Sequence, residues 1–149
     1  MHSRSLKSSG TVALAGGLLL AAVAVGAASG ATRTTITIDV NNVTGIESFT
    51  TTGGALCPSG TATTDFDHFG GGAVAGSFHL TKTLDCVDGS GSFTIKVNAA
   101  TVFGSPTDRG GWSVAGGTGT YAGLHGGGNL VGTYVPTGII DVYTGAVTR

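Results

Sequence analysis

Beyond residue 31 no stretch of the chain repeats apolar side chains at helical spacing for more than two turns; apolar residues recur at every second position instead. That period belongs to strands with one face buried and one wet. The clearest case runs from Phe78 to Ala100. Phe78, Leu80, Lys82 and Leu84 share one face, while His79, Thr81, Thr83 and Asp85 share the other. Val87-Asp88-Gly89-Ser90-Gly91 supplies a turn, because glycine adopts positive φ without a steric cost. Phe93, Ile95, Val97 and Ala99 then resume the alternation against Thr94, Lys96, Asn98 and Ala100.

Similar runs are expected at 34–40, 46–52, 54–57, 61–69, 110–115, 129–135 and 139–148, separated by short turns. The 28 glycines of the 149 residues choose between the two architectures such a series allows. Glycine inside strands marks bulges, tight bends and close backbone approach. A small closed barrel needs many of these to tilt and coil its strands, and an open sandwich needs fewer. The expectation is therefore an all-β chain folded as one small closed antiparallel barrel of about eight strands. Residues 70–78 and 126–134 share a pattern of three glycines, an aliphatic residue, glycine, a hydroxyl residue and an aromatic. Two strands that begin alike explain it, and so does duplication of half a barrel.

The first 31 residues read as a signal peptide with a helical apolar stretch, and residues 32–149 as the single domain. His2, Arg4 and Lys7 precede an uncharged run at 11–25, closed by small residues around Ala28 and Ala31. Fifteen apolar positions fall short of the roughly 20 of a membrane span, so export with cleavage is expected and no membrane association afterwards. Loss of Arg4 and Lys7 leaves five basic residues against eight acidic, a net of −3. The cations that remain are scattered, which argues against nucleic acid as a partner. In an oxidising compartment the two cysteines, Cys57 and Cys86, are expected to form a disulfide.

Few motifs carry chemistry. Gly117-Thr118-Gly119-Thr120-Tyr121-Ala122 fits a dinucleotide fingerprint formally, but the glycines at 123 and 126–128 cannot sustain the helix that chemistry requires. Asp65-Phe66-Asp67-His68 is the one dense ionisable cluster. On a strand its two aspartates share a face and His68 opposes them, so neither a metal site nor an acid/base pair is expected without a bulge. His79 and His125 read as solvent-facing. Lys82 interrupts an apolar face, and its long stem lets the ammonium reach a rim. Thr107-Asp108-Arg109 reads equally as a charge pair at a barrel mouth or as a surface turn. Asn42-Val43-Thr44 is a formal glycosylation sequon. No catalytic residue, metal site or cofactor is assigned.

Residues 110–126 contain Gly116-Gly117-Thr118-Gly119-Thr120-Tyr121-Ala122-Gly123-Leu124-His125-Gly126. This resembles the GGTG-x-[FY]-x-G-x-x-G segment of the allene oxide cyclase and dirigent barrel superfamily, departing from many members at Leu124-His125. The resemblance implies a calycin-like barrel with an apolar central cavity that holds a small reactive molecule. Trp112 and Tyr121, beside the glycine-rich corner, are candidates either for core packing or for lining such a pocket. Asp65, Asp67 and Lys82 complete the candidate ligand-binding set. Three functions stay open: a secreted barrel binding a small apolar ligand, a cyclase, isomerase or coupling-guide enzyme, and a non-catalytic extracellular surface or assembly protein. The sequence sets no oligomeric state.

Overall fold

The computed structural model describes residues 30–149; the targeting segment read from residues 1–31 thus lies almost wholly outside the described residues. Eight strands follow in chain order: β1 (Thr32–Asn41), β2 (Ile46–Thr52), β3 (Ser59–Gly71), β4 (Ala75–Cys86), β5 (Ser92–Val102), β6 (Thr107–Gly117), β7 (His125–Val135) and β8 (Gly138–Thr148). Each pairs antiparallel with its sequence neighbours. β8 returns to β1, from Thr32↔Val147 to Asn41↔Gly138, and closes the barrel. The expected eight-stranded closed barrel is the fold found. Closure gives every strand a partner on both sides, although β2 and β3 share only the three pairs from Ser48↔Thr61 to Thr50↔Ser59.

Two details differ from the sequence reading. Residues 54–57 form no strand; they belong to the loop at 53–58 that doubles back on β2, with the Thr51 N–H donating to the Pro58 carbonyl at 2.9 Å. Leu56 and Cys57 in this loop turn inward and are buried. The two glycine-rich echoes are not equivalent either. Residues 70–78 span the tip between β3 and β4, whereas 126–134 lie within β7, so half-barrel duplication finds no support in the fold. Extra strand length comes from glycines that stay in the ladder, such as Gly70 and Gly71 opposite Ser77 and Gly76.

The up-and-down topology gives the barrel two unlike ends. One gathers the connections 53–58, 87–91 and 118–124 together with the outer ends of β1 and β8. It is plugged by side chains, as small barrels commonly are. Ile36, Leu84, Phe93, Tyr143 and Val147 fill its lumen, and Leu56, Tyr121 and Leu124 cap it. The rings meet edge-on, Phe49 against Phe93 at 5.8 Å, Phe93 against Tyr121 at 5.4 Å and Trp112 against Tyr143 at 6.3 Å between centroids. This geometry favours aromatic pairs beyond their burial. Truncating one such ring, Phe93→Ala, is on the scale of about 3–5 kcal/mol. The Cys57–Cys86 disulfide ties the 53–58 loop to the end of β4 at this same end. Gly89, at φ 73°, makes the turn that returns β4 to β5.

The other end is open. Its four turns, 42–45, 72–74, 103–106 and 136–137, hold no charged residue. Val43, Ile46, Phe66, Phe69, Val74, Val102, Phe103 and Tyr134 are exposed around it; Val87 is the one exposed large apolar residue described at the plugged end. A bulge shapes this rim. Asp67 is the extra residue between the pairs Phe66↔Leu80 and His68↔His79, which lets Phe66 and Phe69 both reach Phe78, at 6.5 and 5.0 Å. A single inserted residue resets the alternation in this way.

Candidate functional site

Above the aromatic plug the lumen opens into a cavity of about 280 Å³. Val40, Phe66, Phe78, Leu80, Val97, Ala99, Leu130 and Ile139 supply its apolar wall, and Glu47, Thr64, Lys82, Asp108, Asp141 and Tyr143 supply polar atoms. Strand alternation places each of these polar side chains inside. Glu47 is in phase with Phe49, Lys82 with Leu80 and Leu84, Asp108 with Trp112, and Asp141 with Tyr143. Register then brings them to one level: Lys82 pairs with Thr64, while Asp108 and Asp141 both pair with Gly132.

Lys82 does not reach for the rim. It is 3% exposed, and its ammonium donates to Thr64 Oγ1 at 2.7 Å and to Glu47 Oε2 at 3.3 Å. Asp141 Oδ2 lies 3.8 Å away. The Thr64 hydroxyl donates to Glu47 at 2.7 Å, so the lysine and threonine hold one carboxylate between them. Asp141 accepts from the Tyr143 hydroxyl at 3.0 Å. Asp108 is 6% exposed; its Oδ2 accepts from Tyr134 at 3.4 Å, and its buried Oδ1 has no partner among the described residues.

Of the three carboxyl groups, Glu47 and Asp141 thus share the one ammonium and Asp108 has none beside it among the described residues. Burial raises the pKa of Asp108. Asp141 is also raised, chiefly by burial; the charges on Asp108 and Glu47 add to this, while Lys82 and the Tyr143 hydroxyl oppose it. Tyr143 is pushed far above its ordinary value by burial and by Asp141, which keeps it a phenol and a hydrogen-bond donor. Perturbed acids at the base of a pocket are a frequent mark of a functional site. Gly132 makes the arrangement sterically possible. A Cβ there would collide with Asp108 Oδ1 and lie 2.8 Å from Asp141 Oδ1.

Of the candidate ligand-binding set read from sequence, Lys82 is the one in the cavity. Trp112 and Tyr121 belong to the plug. Trp112 reaches across the barrel wall to donate to the Thr144 carbonyl at 3.4 Å, and the Tyr121 hydroxyl contacts Ser90 at 3.1 Å. Asp65 and Asp67 are exposed on the outer surface, where Asp67 accepts from Thr81. The motif at 116–126 forms the corner of the plugged end, with a single 3-10 turn at Gly119–Tyr121 and no longer helix. His79 is exposed and bonded to Asn98. Arg109 is exposed while Asp108 points inward, so the two form no pair at the mouth.

Glu47, Asp141 and Tyr143 were not singled out, and Asp108 only as half of a charge pair with Arg109, although the signal was present. Each occupies the inward phase of an otherwise apolar alternation, as Asp141 does between Ile139 and Tyr143. The described residues hold no group of three or more His, Cys, Asp or Glu side chains arranged for a metal ion. They include no helix long and apolar enough to cross a membrane.

Fold and site together define a closed up-and-down β-barrel with a half-filled lumen, apolar at its mouth and acidic at its floor. No protein family, curated protein or solved structure matches the chain.

Proposed function

We propose that this is an exported protein whose open half-lumen binds a small, mostly apolar molecule. The observation that carries the reading is the cavity of about 280 Å³, apolar along its wall and closed below by hydrogen-bonding groups. Its volume falls at the small end of ligand sites, and concave apolar pockets with a few convergent polar groups are the usual form of such sites. The apolar, charge-free rim supports the reading, since a poorly soluble molecule meets no charged barrier on its way in. The allene oxide cyclase and dirigent resemblance at 116–126 points the same way, and the disulfide accords with export.

N-phenyl-1-naphthylamine, an uncharged fluorophore, tests this. Saturable one-to-one binding is expected, and Ala99→Phe, which fills the lumen, should abolish it with the circular dichroism unchanged. Should Ala99→Phe misfold, Leu80→Trp narrows the same cavity from the neighbouring strand β4. Binding that never saturates, or that ignores both variants, removes the proposal.

One observation favours a second reading, an enzyme of the cyclase or isomerase kind. Asp108 and Asp141, both with raised pKa, stand beside the cavity with Tyr143 and Lys82, a composition suited to moving a proton. A bound molecule recovered chemically unchanged after long incubation counts against this reading. Conversion that disappears in Asp141→Asn supports it.

A further inference from the structure

The floor of the cavity is short of positive charge. Its single cation, Lys82, is already held by Thr64 and Glu47. Asp108 has no cation; its side chain, more than nine-tenths buried, lines the cavity, and its Oδ1 has no hydrogen-bond partner among the described residues. A buried acceptor left without a donor carries its full desolvation cost until something donates to it. Charge, orphaned acceptor and apolar wall together specify a ligand with a donating, positively charged head and an apolar body.

We propose, on the footing of the lumen-binding reading, that the site takes small primary amines, the ammonium seated against Asp108 and Asp141 and the hydrocarbon among Phe78, Leu80 and Leu130. The head supplies the cation that the floor lacks, and its several N–H groups suit two carboxylates at once. An alcohol satisfies the orphaned acceptor without balancing charge. A carboxylate adds to the acid surplus and must compete with Glu47 for Lys82.

The groups facing this head come from most of the barrel: Glu47 on β2, Thr64 on β3, Lys82 on β4, Thr101 on β5, Tyr134 on β7 and Tyr143 on β8. Among them Tyr143 stays protonated. Amine affinity therefore follows ionisation of the two aspartates, rising with pH as they lose their protons and falling again when the amine loses its own.

Isothermal titration calorimetry with 2-phenylethylamine, 2-phenylethanol and 3-phenylpropanoate tests the class with one body and three heads. At pH 7 the amine should bind at least tenfold more tightly than either of the others. Asp108→Asn should lower the amine-to-alcohol preference about tenfold, the scale of one hydrogen bond to a charged group. Asp141→Asn serves the same purpose if the first variant fails to fold. Equal binding of amine and alcohol, tighter binding of the carboxylate, or a preference indifferent to both variants overturns the amine class. If N-phenyl-1-naphthylamine still binds the lumen when all three probes fail, the amine class alone falls. If the fluorophore fails as well, the lumen reading falls with it.

Discussion

Asp108 and Asp141 face the lumen from either side of Gly132, the residue that pairs with both of them. Their nearness depends on the side chain that position 132 does not have. Gly132→Ala should destabilise the barrel by about 1–3 kcal/mol, the range for forcing extra volume into a packed site. In the Gly132→Ala/Asp108→Gly double variant most of the loss should return, because the colliding carboxyl is gone. Urea denaturation of the two singles and the double measures the coupling. Strict additivity would show that the clash is relieved elsewhere.

The pH dependence has a definite sign. In the unfolded chain both aspartates titrate near 3.8, and in the barrel both hold their protons to higher pH. Over the window between those values the folded state binds more protons than the unfolded state, so their contribution to stability declines as pH rises through it and levels off above. Asp108→Asn removes one such group. The variant should match the parent at pH 3 and exceed it by about 1 kcal/mol at pH 7, the cost of a poorly satisfied buried carboxylate. Thermal melts of the two proteins across this range give the difference directly, free of the other acids. A parent that gains on the variant as pH rises contradicts the assignment.

Lys82→Met leaves Glu47 and Asp141 without their cation. A loss of about 3–5 kcal/mol is expected, as for any buried pair deprived of one partner. Acid should reverse part of it, because protonation removes the uncompensated charges, and so should the added substitution Glu47→Gln. If Lys82→Met melts with the parent at all pH values, the ammonium is solvated in solution rather than enclosed.

These interior charges also mark how far the sequence could be read. Alternation from Phe78 to Ala99 located β4 and β5 and their inward faces, because each carried four residues of one phase. Asp141 obeys the same alternation, yet a lone aspartate in a strand is usually a solvated one, and its inward phase gains meaning only once β8 is known to close on β1. Asp65 and Asp67 drew attention through density. Both lie on the outward phase of β3, opposite Ala62 and Thr64; the bulge at Asp67, which brings Phe69 as well as Phe66 to Phe78, is a tertiary matter with no local signature. Trp112 was legible as an aromatic at a glycine-rich corner, but its half of the lumen was not, since both halves are lined by the same kinds of residue.

Reduction of Cys57–Cys86, or Cys57→Ser with Cys86→Ser, should cost about 3–4 kcal/mol for a bridge of sequence separation 29. The cavity lies at the far end of the barrel from this bridge. Below the melting temperature, affinity for N-phenyl-1-naphthylamine should accordingly be the same in the oxidised and cysteine-free proteins, as fluorescence titration would report. A large change in affinity would mean that the two ends are mechanically coupled.

Both termini of the described chain emerge at the plugged end, beside the disulfide, and the four turns of the opposite end carry none of the covalent closure. A tag, tether or fused domain joined at either terminus therefore hangs behind the barrel like a handle. The mouth can be immobilised facing outward, and its turns rewritten, with the part of the molecule that keeps it shut left untouched.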